Sequence, residues 1–454
     1  MNKYRTAIIL DVGATNVRAV AVDETGNILA QKFFPNRTQP DPHFKGGLIW
    51  DVNEIWQKLI KATKEIISVP EAGNIVAVTV TTFGVDFAPV SKTGELLYPV
   101  ISWACNRTES VMDNIEKYIP LEKLYSISGI NKFSFNTINK LIWLKENRPE
   151  VLLEAEYFAF ISSILLQKLT GRFVTEATMA GTSMLTDHKT RTFSEEIFEK
   201  AGVENKFPEI AESGEVAGFV TPGASAETGL PEGIPVIAAG HDTQFAIFGS
   251  GADVNQPVLS SGTWEILMVR TPAVNLNKRA FHAGVTTEFD AVPGLYNPGI
   301  QWLGSGILEW IKRNFFADII DDPYGVMIRE AEESAKSKVE ITPDVLNGEG
   351  KITNLSINTK RGEIYKAALS ALSYQTKRGL SVLEQVCGFK AESLIVVGGG
   401  SKNRLWNEMR STIAGLPVKT VSQTETTVLG AAMFAFAGAG GFGTVEEVRR
   451  RFVR

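Results

Sequence analysis

The chain has 454 residues, more than one hydrophobic core comfortably serves, so two domains are expected. With 44% hydrophobic and 21% charged residues it reads as an ordinary soluble globular protein, and a net charge of −5 leaves no basic stripe for nucleic acid. Its two cysteines, Cys105 and Cys387, form no paired motif, which excludes a disulfide framework or a zinc site and suits a reducing cytosol. No stretch approaches the roughly 18 apolar residues of a membrane span, and Asp11 cuts short the apolar "AIIL" that a signal segment would need. The expected location is therefore cytoplasmic, with no membrane and no nucleic acid among the partners.

In chain order, "RTAIIL" and "VRAVAVD" predict two strands joined by "DVGATN", and "ILAQKFF" a third after the turn "ETGN". "DVNEIWQKLIKATKEII" predicts a helix, with Ile55, Leu59, Ala62 and Ile66 at helical spacing and a capping box from Asp51 and Glu54. The apolar, β-branched "NIVAVTVTT" reads as a central strand. Further helices are expected at "NTINKLIWLKEN", "FISSILLQKLTG" and "SEEIFEKAG". "IPVIAA" is a short strand running into Gly240, His241 and Asp242. The second half opens as the first did, with strand, small-residue turn and strand in "PVLSSGTWEILMVRT". Two structurally related halves meeting at a cleft are therefore expected, residues 1–246 and 247–454. A long helix at "RGEIYKAALSALSYQTKRGLSVLEQV" precedes a strand, a triple glycine and a helix in "SLIVVGGGSKNRLWNEM". The small-residue helix "TTVLGAAMFAFAGAG" implies close packing against another element.

Several of these junctions carry groups suited to chemistry. In "DVGATN", small residues let backbone amides approach a phosphate, while Thr15 and Asn16 add donors. Asp11 repels phosphate directly but suits a Mg²⁺ held against it. The alternative is a plain hairpin turn with an Asx-type cap. Ser260, Ser261, Gly262 and Thr263 repeat the pattern, and two such hairpins, one per half, suit a polyphosphate clasped from both sides. Gly398, Gly399 and Gly400, between strand and helix, permit close approach of a phosphate or flat ring. Neither GxGxxG nor GxxxxGK[ST] is present. Asp242 reads either as a helix cap or as a general base above a bound hydroxyl, with His241 and Thr243 beside it. "TTFGVD" places Gly84 and Asp86 in a turn or at a substrate rim. Trp103 is either core or a platform for a sugar face. Glu265 is left without a role.

Taken together, "DVGATNVR", "TTFGVD", "ISWACNRT", "GHDTQFAIFG", "SSGTWEI", "YNPGIQWL" and "VVGGGSKN" resemble the FGGY carbohydrate kinases of the actin/hexokinase ATPase superfamily. The resemblance spans nearly the whole chain. It implies an α/β fold of two ribonuclease-H-like domains flanking a deep catalytic cleft. The implied activity is ATP-dependent phosphorylation of the 1-hydroxyl of a deoxy-ketohexose, with L-fuculose ahead of L-rhamnulose. On this likeness Asp242 is the general base, and Gly84, His241, Thr243 and Asn297 match sugar-contacting positions, with Asp86 and Trp103 as looser matches. The loop from Asp11 through Ala14, Thr15 and Asn16 to Arg18 would meet the phosphates and Mg²⁺, Asp11 holding the ion directly or through water. Gly262 and Thr263 would meet the phosphates from the other side, with Gly398, Gly399, Gly400 and Asn403 at the adenosine. The implied partners are a small sugar and ATP, with a homodimer as a further candidate. The chain ends at Arg454, early for the family, which implies that a C-terminal segment of relatives is missing. Two other classes stay open: an actin-fold ATPase acting on a protein, and a sugar-binding regulator without catalysis.

Overall fold

The computed structural model describes residues 4–334, 337–344, 348–421 and 425–452, so Arg454 lies outside it. Two six-stranded sheets organise the chain. The first contains β1 (Thr6–Val12), β2 (Asn16–Asp23), β3 (Ile28–Pro35), β4 (Ile75–Thr82), β5 (Val216–Phe219) and β6 (Pro235–Ile237). Their spatial order is β5-β6-β4-β1-β2-β3. The second contains β7 (Pro257–Ser261), β8 (Trp264–Val269), β9 (Thr286–Phe289), β10 (Tyr296–Leu303), β11 (Leu394–Val397) and β12 (Val418–Thr420), ordered β9-β10-β8-β7-β11-β12.

The plan is the same in both. A three-stranded antiparallel meander (β1-β2-β3, or β7-β8-β10) is extended beyond its first strand by two parallel strands. One additional antiparallel strand lies at opposite edges, β5 in the first sheet and β9 in the second. This is the duplication that the sequence shows only as pattern. All of β1 and most of β4 are buried, as expected for strands covered on both faces.

Helix α1 (Val52–Ile67) covers one face of the first sheet, burying Ile55, Leu59, Ala62 and Ile66. Asp51 caps it by accepting the Glu54 amide at 2.9 Å, but the capping box is only half made. The Glu54 carboxylate turns away to Lys58 and Gln39, since a full cationic partner outbids a backbone amide.

The opposite face is covered by the end of the chain. Helices α7 (Thr426–Ala439) and α8 (Val445–Phe452) share a buried apolar cluster with Ala7, Ile9, Val20, Val22, Phe245 and Phe248. Close packing of the small-residue helix is realised here. A Cβ on Gly430 would fall 2.0 Å from the Phe245 carbonyl oxygen, so α7 and α3 (Asp242–Gly249) cross nearly backbone to backbone. The boundary expected at 246/247 thus falls within α3, and residues 426–452 pack on the first half. Both cysteines are free and buried. Among the described residues no helix is long and apolar enough to cross a membrane.

Candidate active site

Sheet register brings the scattered motifs together. Asp11 pairs with Thr81 and Val12 with Thr82, and the parallel ladder continues from Thr82 to His241. The Thr82 amide and the Thr81 hydroxyl both donate to the Gly240 carbonyl at 2.9 Å. "DVG", "TTFG" and "GHD" therefore emerge side by side at the carboxyl ends of β1, β4 and β6. In the second sheet Ser260 pairs with Val397, so "SSGT" and the triple glycine emerge side by side too. A cavity of about 900 Å³ lies between the halves. Ala14, Gly84, Trp103, His241, Asp242 and Thr243 line it from one side, and Trp264, Glu288, Trp302 and Arg378 from the other.

Asp242 is the first residue of α3, and His241 is the cap position. The carboxylate accepts the Thr243 amide at 2.7 Å and faces His241 Nε2 at 3.5 Å, with part of its surface open to the cavity. The capping alternative is therefore not realised in its usual form. Burial pushes the Asp242 carboxyl above the ordinary carboxylate range, against the opposing pull of His241 and Thr243. Beneath this turn lies Glu176, a buried carboxylate capping α2 (Ala177–Gly181) through the amides of Thr178 and Met179. The Thr178 hydroxyl accepts the His241 amide at 2.8 Å. A Cβ on Gly240 would fall 2.0 Å from Glu176 Oε2, so only glycine lets the chain lie on this platform.

The two hairpin turns share a construction. In the first, Asn36 takes up the carbonyls of Gly13 and Thr15, leaving the Ala14 and Thr15 amides without an acceptor among the described residues. In the second, the Gly304, Ser305 and Gly306 amides, at the start of α4 (Ser305–Phe315), take up the carbonyls of Gly262 and Thr263. The Thr263 amide is likewise left free, and its side chain is exposed. Such turns, with carbonyls engaged and amides open, are suited to anions. Asp11 lies at the base of the first turn. Arg18 Nε donates to its Oδ2 at 2.6 Å, and among the described residues no hydrogen bond engages Oδ1. Burial raises the Asp11 carboxyl to about 6, Asp242 and Glu425 adding to the rise and Arg18 opposing it.

Packing demands two of the three glycines. Gly398 has φ +83°, and a Cβ there would meet the Ser261 carbonyl oxygen at 2.8 Å. A Cβ on Gly400 would fall 2.0 Å from Ser261 Oγ, whereas Gly399 faces open space. Asn403 caps α6 (Arg404–Ala414), accepting the Trp406 amide at 3.1 Å and donating to Tyr365 Oη.

Two expected contacts, Asp86 and Asn297, lie elsewhere. Asp86 is not at the rim but fully buried, paired with Lys140 and accepting Trp50 Nε1 at 2.7 Å and the Trp103 amide at 3.0 Å. The preceding Val85 has φ +64°, rare for a β-branched residue, and Thr137 and Lys140 hold its carbonyl. Burial pushes Asp86 up and Lys140 down in pKa, while each holds the other charged. Asp86 thus supports Trp103 from behind. Asn297 is also fully buried, donating to Gln244 rather than lining the cavity. Arg18 is occupied by Asp11 and Glu425.

Sequence reading missed Glu288, Gln244 and Trp264 as lining or supporting residues. The one signal for Glu288 was an isolated acid in the β-branched run "VTTEFD". Glu265, left without a role, is fully buried, paired with Arg410 and accepting Ser261 Oγ and Trp302 Nε1 at 2.8 Å each. It braces the second wall.

Residues 6–249 match the model for the N-terminal domain of the FGGY family of carbohydrate kinases, and residues 258–439 the model for its C-terminal domain. An L-fuculokinase of Escherichia coli strain K12 is 46% identical over 98% of this chain and 95% of its own length. A rhamnulokinase of Bacteroides thetaiotaomicron is 28% identical over 98% of this chain and 93% of its own. Among solved structures, xylulose kinase from Rhodospirillum rubrum superimposes with a TM-score of 0.90 at 20% identity, covering 98% of this chain and 92% of that one. This last likeness concerns the fold alone.

Proposed function

Because the chain belongs to the FGGY family of carbohydrate kinases, we propose that it transfers the terminal phosphoryl group of ATP to the 1-hydroxyl of L-fuculose. The observation that carries this reading is Asp242. It lines the cavity together with Ala14 of the first hairpin and Trp264 beside the second, partly open and with its pKa raised. A carboxylate shifted toward neutrality accepts a hydroxyl proton more effectively than an ordinary aspartate, and Asp242 is assigned that role. His241 and Thr243 would orient the sugar hydroxyls, and the exposed face of Trp103 would pack on the apolar face of the sugar. The open amides of Ala14, Thr15 and Thr263 would hold phosphate oxygens. The backbone at Gly398–Gly400 would approach the nucleoside. Asn403 would act there through its helix cap, since its side chain is engaged.

The first turn fits a magnesium ion. Asp11 has one oxygen without a partner among the described residues and a carboxyl strained upward by burial, which a cation would relieve. No cluster of three ionisable ligands exists among the described residues, as suits an ion that takes most of its ligands from phosphate and water. When bound there, magnesium would neutralise phosphate charge. Transfer of this kind proceeds through a loose transition state, so positioning and charge neutralisation dominate. Closure of the halves would exclude water as a competing acceptor. The buried free thiols of Cys105 and Cys387 fit a reducing cytosol.

The reading is tested by ADP release across L-fuculose, L-rhamnulose, xylulose, ribulose and glycerol. The expected kcat/KM is highest for L-fuculose, by about tenfold or more. A maximum for L-rhamnulose would reassign the sugar, and hydrolysis of ATP indifferent to every sugar would overturn the kinase reading.

A further inference from the structure

One carboxylate in the cavity is used by nothing above. Glu288 lies on β9, the edge strand of the second sheet, yet it is embedded in the first half. The Thr287 amide donates to the Gly129 carbonyl at 2.8 Å, and Thr182 Oγ1 donates to Glu288 Oε1 at 3.0 Å. Glu288 Oε2 accepts Gln244 Nε2 and stands 3.3 Å from His241 Nδ1. A carboxylate only accepts, so Gln244 turns its nitrogen to Glu288 and its oxygen to Asn297 Nδ2. A directed chain results: Asn297 orients Gln244, Gln244 orients Glu288, and Glu288 faces one nitrogen of His241. The other nitrogen faces Asp242 at 3.5 Å.

We propose that Glu288 is a positioning residue for phosphoryl transfer: a carboxylate supplied by the second sheet fixes the ring of His241, and so the ring nitrogen that His241 presents beside Asp242 and the acceptor sugar. This rests on the kinase reading for its consequence, but its geometry stands apart from the identity of the sugar. A carboxylate at Nδ1 favours a proton on that nitrogen and leaves Nε2 toward the cavity. Three charged groups face His241: Glu288 from β9, Asp242 on its own helix and Glu176 from the cap of α2. Burial opposes a charge on the ring, but these carboxylates outweigh it and raise its pKa, Glu288 foremost among them. The sugar pocket is complete only where the second sheet docks on the first half.

The test uses the full-length enzyme and exploits its four histidines, few enough to assign individually by NMR with labelled rings. In the wild type the His241 ring is expected to titrate above the ordinary value of about 6.5. Glu288→Gln keeps the shape but removes the charge. It should lower that titration by about one pH unit or more, raise KM for the sugar about tenfold and leave KM for ATP unchanged. An unchanged titration, or unchanged sugar constants in a folded Glu288→Gln enzyme, overturns the proposal. Should that variant not fold, the wild-type titration decides alone: a His241 ring at or below the ordinary value also overturns it. A wild type that phosphorylates no sugar would instead sink the kinase reading, and the ring titration distinguishes the two failures.

Discussion

The two sheets share the order of five strands but have been furnished differently at corresponding ends. The carboxyl edge of the first carries Asp11, His241 and Asp242, all with displaced pKa values. The same edge of the second carries Ser260, Gly262, Thr263 and three glycines. Glu265 and Arg410 beneath it are fully buried against each other, and the exposed Lys402 closes the glycine turn. One edge therefore holds carboxylates that exchange protons or face cations, and the other is a cradle of amides and small side chains. A shared scaffold leaves function to what occupies the strand ends.

Changes on the first edge should strike turnover, and changes on the second should strike nucleotide use. The largest effect is expected from Asp242→Asn, which should keep the fold and ATP binding while turnover drops about 10²–10⁴-fold in an ADP-release assay. Next comes the joint between the halves. Gly430→Ala drives a methyl into the Phe245 carbonyl, and thermal denaturation should show a loss of about 1–3 kcal/mol. On the second edge, Gly398→Ala places a Cβ against Ser261 at a positive φ and should raise KM for ATP about tenfold, with KM for the sugar unmoved. Thr263→Val should weaken ATP use by a smaller factor, about two- to fivefold, and again spare the sugar. Parallel loss of sugar and ATP affinity in either cradle variant would erase the division between the two edges.

The strand–turn–strand openings, the long helix α5 (Arg361–Cys387) and the small-residue helix were legible because hydrophobic period and glycine placement are local signals. The lining set was legible where it coincided with a turn after a strand, as at Ala14, Gly84, His241 and Asp242. It failed at Asp86, because the left-handed conformation of Val85 turns the next side chain into the core, and a β-branched residue gives no warning of that. It failed again at Asn297 and Glu288, adjacent in register on β10 and β9 but opposite in exposure to the cavity. Which of them faces the cavity depends on how a sheet edge docks against the other half, and that lies beyond any local pattern. The return of α7 and α8 to the first sheet is non-local in the same sense.

The most direct test of the proton-accepting role is the pH dependence of single-turnover phosphoryl transfer at saturating ATP, magnesium and sugar. Protonated Asp242 cannot accept a proton, and burial raises its pKa. The wild-type rate should therefore fall as pH is lowered, with a limb above the ordinary carboxylate range. In Asp242→Asn the remaining slow rate should lack that limb. A variant that retains both the limb and a rate within about tenfold of wild type would contradict the assignment.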